Sequence, residues 1–198
     1  GLDAVILSAA AGERHDGTAK ESGGSGVRFL WAAPGDNARS QIALKIDEDR
    51  EAWVEWIDFD VNGYGLHSGS MVAALQLHGG QYYTAGYANG AAWCIVHDNT
   101  GQQTVGGYDH TFGIIATGRS KFIVNCIVYN MSNQGREDCF GIYTDSQDAV
   151  VVCNNTVYNI HGFDNSPALS DAIGFTSSTT ANAVYRNCLL YTSPSPRD

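Results

Sequence analysis

Short apolar runs, none longer than a strand, alternate along the chain with turns of small and polar residues, and no stretch repeats its apolar positions at a helical period. Residues 3–10 (DAVILSAA), 27–32 (VRFLWA), 42–46 (IALKI) and 73–77 (AALQL) read as strands, and the polar, glycine-rich 12–26 reads as a loop. Residues 53–59 (WVEWIDF) set Trp53, Glu55 and Ile57 against Val54, Trp56 and Asp58, the period of one strand with one face buried. A further strand is expected at 93–96.

From residue 113 the pattern becomes periodic. Runs at 113–117 (GIIAT), 141–144 (GIYT) and 172–176 (AIGFT) are each followed by a small polar turn and a second run, at 122–124 (FIV), 150–153 (VVVC) and 183–186 (AVYR). A single asparagine, Asn125, Asn154 or Asn187, comes next, and then a third run, at 127–129 (IVY) or 156–158 (TVY). Superposing the two Val-Tyr-Asn phrases sets Asn125 over Asn154 and Asn130 over Asn159. Upstream, 92–99 (AWCIVHDN) sets Cys94 over Cys126, Val96 over Val128 and Asp98 over Asn130. Downstream, 182–191 (NAVYRNCLLY) sets Asn187 over Asn154 and Tyr191 over Tyr158. A phrase returning about every thirty residues marks a stacked repeat. Three short strands per coil, each lying on its counterpart in the next coil, form parallel sheets without hairpins. Asparagine suits the single-residue corner because it tolerates the left-handed backbone, and its amide can bond to the asparagine one coil away.

Composition narrows the function. With 198 residues, 43% hydrophobic and 16% charged, the chain is one globular unit or a piece of a longer solenoid. Twenty-three glycines against four prolines fit a turn-rich, all-β chain. A net charge of −10 argues against nucleic acid and anionic membrane surfaces as partners. No apolar run approaches the ~18–20 residues that cross a bilayer as a helix, so no membrane insertion is expected.

The C-terminal segment 188–198 (CLLYTSPSPRD) resembles, residue for residue, the translation of a transposon-type sequencing adapter. It is therefore expected to be a read-through artefact on a metagenomic fragment, leaving 1–187 as the solenoid fragment with regular coils from about residue 93. Cys94, Cys126, Cys139 and Cys153 remain; their spacing matches no zinc pattern, and buried free thiols in a ladder are expected.

The asparagine corner and the NNTVYN phrase resemble the right-handed parallel β-helix of the pectate-lyase-like superfamily, over roughly 42–187. Residues 12–18 (GERHDGT) also resemble the opening of β-helix repeat proteins common in environmental sequence sets. The resemblance implies an all-β, right-handed parallel β-helix of about five to six coils. It also implies a secreted, cell-surface or virion location and a polysaccharide or surface glycan as partner. A polysaccharide lyase or glycoside hydrolase would be its catalytic form. The competing expectation is a structural shaft of a phage tail fibre, spike or adhesin, which would be a homotrimer in the phage case.

Long turns precede the first strand of each coil and deliver Asp109 and His110, then Arg136, Glu137 and Asp138, then Asp171. In register these form a column of carboxylates beside an arginine and a histidine. Hydrolysis requires a protonated and an ionised carboxyl group about the glycosidic bond. β-Elimination from a uronate requires Ca2+ or arginine on the sugar carboxylate, and a base. Asp138 and Asp171 are the candidate pair or calcium ligands, and Arg136 or His110 the base or stabiliser. Asp109 and Glu137, with Tyr82, Tyr83, Tyr87 and Tyr108 as flat stacking surfaces, are candidate substrate contacts. The Asn-Thr-Asp, Asp-Asp and Gly-His-Gly segments of polygalacturonase-type enzymes are missing, as is an Arg-x-Pro-x-x-Arg segment. Capping of turns is the alternative role for Asp138 and Asp171. No metal-ligand set is expected, because His97 and His161 have no partner at ligand spacing.

Overall fold

The computed structural model describes residues 4–19, 26–32, 40–47, 51–62, 71–79, 88–101, 110–133, 138–145, 149–162, 172–178 and 182–191. The first rung consists of β1 (Ala4–Ser8), β2 (Val27–Ala32) and β3 (Ser40–Asp47), and the second of β4 (Glu51–Glu55), β5 (Ile57–Asn62) and β6 (Met71–His78). The third holds β7 (Asn89–Ala92), β8 (Ile95–His97), the short β9 (Thr100–Gly101) and β10 (His110–Thr117). Next come β11 (Lys121–Val124), β12 (Ile127–Asn133) and β13 (Cys139–Asp145), then β14 (Ala149–Cys153), β15 (Thr156–His161) and β16 (Ala172–Ser177). The last strands are β17 (Asn182–Arg186) and β18 (Leu189–Tyr191).

Stacking gives three parallel sheets. Sheet 1 runs β1-β4-β7-β11-β14-β17, sheet 2 runs β2-β5-β8-β12-β15-β18 with β9 beside β12, and sheet 3 runs β3-β6-β10-β13-β16. The chain is therefore the all-β parallel solenoid expected from its repeat. Turns flanked on both sides in every sheet number about three, slightly fewer than the expected five to six, the end rungs making up the difference.

Register is unshifted from rung to rung, so inward side chains stack in columns, most of them apolar; one column of sheet 1 carries the buried Asn89 and Lys121 between Ala52 and Val150. In sheet 1 Val54, Ala91, Ile123 and Val152 align, and in sheet 2 Phe59, Val96, Val128 and Val157. In sheet 3 Leu75, Ile114 and Ile142 align, and all of these fall in one core cluster. Each such side chain contributes about 1.5–3 kcal/mol of burial before conformational entropy is charged.

The turn between sheets 1 and 2 is one residue in the left-handed conformation. Trp56, Trp93, Asn125, Asn154 and Asn187 occupy it with φ of 59°, 53°, 56°, 56° and 51°. The first four donate their N–H to the next rung, at Ala92, Val124, Cys153 and Arg186 carbonyls 3.2, 3.0, 3.0 and 2.9 Å away, so the ladder runs on through the bend. The asparagine corners are as expected. The tryptophan corners are a correction: 53–59 is not one strand but two, broken at Trp56, and 93–96 begins with a corner rather than a strand. The bend resets which residues point inward, so Val54 and Phe59 both reach the core.

Behind each corner one side chain turns fully inward. Ile57, Cys94, Cys126 and Asn155 take this place in successive rungs, the last three fully buried. The five cysteines are free, and burial pushes the Cys94 and Cys139 thiols well up, which leaves them inert as nucleophiles. Asn155 satisfies itself by accepting from Cys126 N–H and donating to the Ile123 carbonyl, each at 2.8 Å.

Candidate functional site

Two constellations of chemistry-bearing side chains lie on the outside of the rod. The first surrounds Trp93. Its indole stacks on Trp56 with ring centroids 5.1 Å apart and planes 3° from parallel. Trp56 is covered in turn by the His15 ring at 5.5 Å and by the Arg14 guanidinium 5.1 Å from its centroid. His15 is tied at both ring nitrogens. Its Nε2–H donates to the Trp93 carbonyl at 2.6 Å, while Nδ1 accepts from Gly17 N–H at 3.2 Å. Asp16 accepts from Thr18 N–H at 3.0 Å, and this bond holds its carboxyl below the usual range.

Trp93 keeps 38% of its surface exposed and borders two grooves. One, of about 420 Å³, is lined by His15, Asp16, Trp56, Trp93, Asn125 and Ile127 among others. The other, of about 350 Å³, lies on sheet 1 between Ile6, Glu51, Trp53, Glu55, Trp93 and Val124. Trp53 donates to Glu51 Oε1 at 3.1 Å and lies over Gly90, where any Cβ would strike its ring. Three of the four tryptophans thus meet at one edge of the rod, with carboxylates beside them.

The second constellation is on the outer face of sheet 2. Register places Asp60 beside His97, and Asp58 lies two residues before Asp60 on the same face. His97 Nε2 is 2.8 Å from Asp58 Oδ1, and Nδ1 is 2.7 Å from Asp98 Oδ2. His97 and Asp58 are fully buried, and Asp60 nearly so. Arg28 forms an ion pair with Asp60. One donor atom each of Asp60, His97 and Asp98 lie within 4.8 Å of one another. Beyond them Tyr129 stacks on His97 at 5.1 Å and Tyr158 on Tyr129 at 4.9 Å, ring upon ring along the axis. These tyrosines spend their faces on one another.

Asp98, Asn130 and Asn159 form a second left-handed column, with φ of 54°, 51° and 54°. Asn130 donates to Asp98 Oδ1 at 3.1 Å and Asn159 to Asn130 Oδ1 at 2.5 Å. No protein-family model, curated protein or solved structure matches this chain. What the molecule does therefore rests on its own side chains.

Of the residues singled out from the sequence, His110 and Asp138 are described. The pairing of Thr111 with Cys139 puts them on neighbouring rungs. The Asp138 carbonyl accepts from Thr111 N–H at 3.1 Å and from Asn133 Nδ2 at 3.3 Å. The His110 ring packs on Phe112 and Phe140, 5.9 and 5.6 Å away. Asp171, Arg136, Asp109, Glu137, Tyr82, Tyr83, Tyr87 and Tyr108 lie outside the described residues. The expectation that His97 lacks partners is corrected by Asp58 and Asp98. A signal for both constellations is present in the chain: laying Trp56 over Trp93 puts Phe59 over Val96 and Asp60 over His97.

Proposed function

We propose that the chain is a carbohydrate-engaging β-solenoid module whose binding surface centres on Trp93. The observation that carries this is a strained corner. A residue with a Cβ costs about 1–2 kcal/mol in the left-handed conformation, asparagine and aspartate less, and glycine, which has none, escapes the penalty. The same corner is filled by asparagine in three other rungs, yet Trp56 and Trp93 occupy it here, stacked and half-open to solvent. Strain retained where an unstrained residue is at hand is characteristic of functional positions.

The chemistry around the indoles suits a sugar. Flat aromatic faces take the C–H side of a pyranose, while Asp16, Glu51, Glu55 and Asn125 offer acceptors and an amide for hydroxyl groups. An extracellular, cell-surface or virion setting and a glycan partner belong to the same reading. Titration calorimetry and tryptophan fluorescence against a panel of neutral and uronate polysaccharides test it. Binding to at least one member is expected, with Trp93→Ala weakening it by about 2 kcal/mol, roughly thirtyfold. Equal affinity in the variant, or no binding across the panel, sinks the reading.

A further inference from the structure

We propose that Asp60, His97 and Asp98 form a binding site for a borderline divalent metal ion of the Zn2+ class, with Asp58 as the outer partner of His97. The site is separate from the Trp93 surface and does not depend on its function.

The backbone assembles the donors from two rungs. Asp60 and His97 are register partners, one strand spacing apart. Asp98 follows His97 directly, and its left-handed backbone brings its carboxylate to the His97 ring rather than to the opposite face of a strand. Arg28 engages Oδ2 of Asp60, and Asn130 donates to Oδ1 of Asp98, leaving Oδ2 on the His97 side.

The imidazole is oriented as a ligand. A metal-bound histidine characteristically donates its other ring N–H to a carboxylate, which fixes the tautomer. Asp58 supplies that carboxylate at Nε2, with both groups fully buried, and Nδ1 faces Asp98, while Asp60 brings a carboxylate oxygen within 4.8 Å of the other two donors. Carboxylates only accept, and a neutral imidazole has one N–H. Asp58 and Asp98 both contact the ring, so either the ring carries two protons and donates to both, or a metal cation takes the Nδ1 side. Three buried or half-buried carboxylates, Asp58, Asp60 and Asp98, against the one charge of Arg28 leave negative charge to attract it. Nitrogen plus two oxygens suits Zn2+, at ~2.0–2.2 Å from each, with positions open to water. Donor atoms within 4.8 Å close onto such an ion with small side-chain rotations.

The test is titration of the chelator-treated full chain with ZnCl2, read by calorimetry and by thermal unfolding. One ion per chain and a raised unfolding temperature are expected. Asp98→Asn is the decisive variant, because asparagine fills the same corner in the next two rungs and the fold should accept it. It should weaken Zn2+ at least tenfold, and Asp58→Asn should weaken it by about 10–100-fold through His97. No Zn2+ binding overturns the proposal, as does binding that Asp98→Asn and His97→Gln leave intact. A Zn2+-indifferent chain whose stability falls as His97 loses a proton would identify a buried imidazolium clamped by two aspartates, and would equally overturn it.

Discussion

The corner between sheets 1 and 2 is solved twice in this molecule. In the later rungs Asn125, Asn154 and Asn187 make it, and in the earlier ones Trp56 and Trp93 do, with φ differing by only a few degrees. Four of the five also donate the same backbone hydrogen bond onward. The conformation is thus imposed by the sheets on either side, and the residue only sets its cost. Asparagine carries little penalty, whereas tryptophan must be compensated, here by the stacking of Trp56 on Trp93 and, for Trp56, by the tilted His15 ring and the Arg14 guanidinium above it. One solution is structural economy and the other keeps a large aromatic surface at the edge of the rod.

The sharpest way to break this comparison is at the remaining corner, between sheets 3 and 1. There Gly79 and Gly118 adopt φ of 107° and 91°, beyond what asparagine or tryptophan accept. A Cβ on Gly118 would land on the Gly79 carbonyl oxygen, a backbone atom that cannot swing aside. Gly118→Ala should lower stability by about 3 kcal/mol in urea unfolding. An unchanged midpoint would mean that corners tolerate side chains generally, and that the Trp–Asn contrast carries no meaning.

Next in size is the residue behind the corner. Asn155→Ala removes the partner of a buried N–H and a buried carbonyl, and should cost about 2 kcal/mol. Asn155→Cys, the residue of the two preceding rungs, should cost about half that. Equal losses would show that the two amide hydrogen bonds, and not the fit of the side chain, set the cost.

Trp93→Asn separates the two solutions directly. Relief of strain offsets lost stacking, so stability should move by less than about 1 kcal/mol while glycan binding weakens roughly thirtyfold, as in Trp93→Ala. A loss near 3 kcal/mol would instead make Trp93 a packing residue.

The smallest effect is alkaline. Burial raises Tyr185 and Tyr143 above the ordinary phenol value, so the folded state favours the neutral ring. That contribution is complete below pH about 10 and is lost as pH rises from there through the raised values. Urea midpoints should fall as pH rises above about 10, and less steeply in Tyr185→Phe. A flat profile would contradict it.

The later rungs were legible because the same column asks for the same residue: Val-Tyr-Asn recurs, and Cys94 and Cys126 align as expected. The earlier rungs were hidden because their corners use a residue with no left-handed preference, so Trp56 reads as one more alternating position. The site on sheet 2 was hidden for a related reason. Asp60 and His97 share a column without sharing chemistry, and repeats are found by identity. Both proposed sites use the columns where the repeat is broken, which is where sequence periodicity is silent.

Unshifted register has a further consequence for how such a rod changes length. An in-frame copy of residues 125–153, from one corner to the next, would begin and end at equivalent points and add one rung, about 4.8 Å of height. The inserted rung would meet above and below the same columns it left, so no new contact would have to be invented. A slip in copying the gene that would ruin most folds is here an extension of the molecule, and everything mounted on its outer face is carried outward intact.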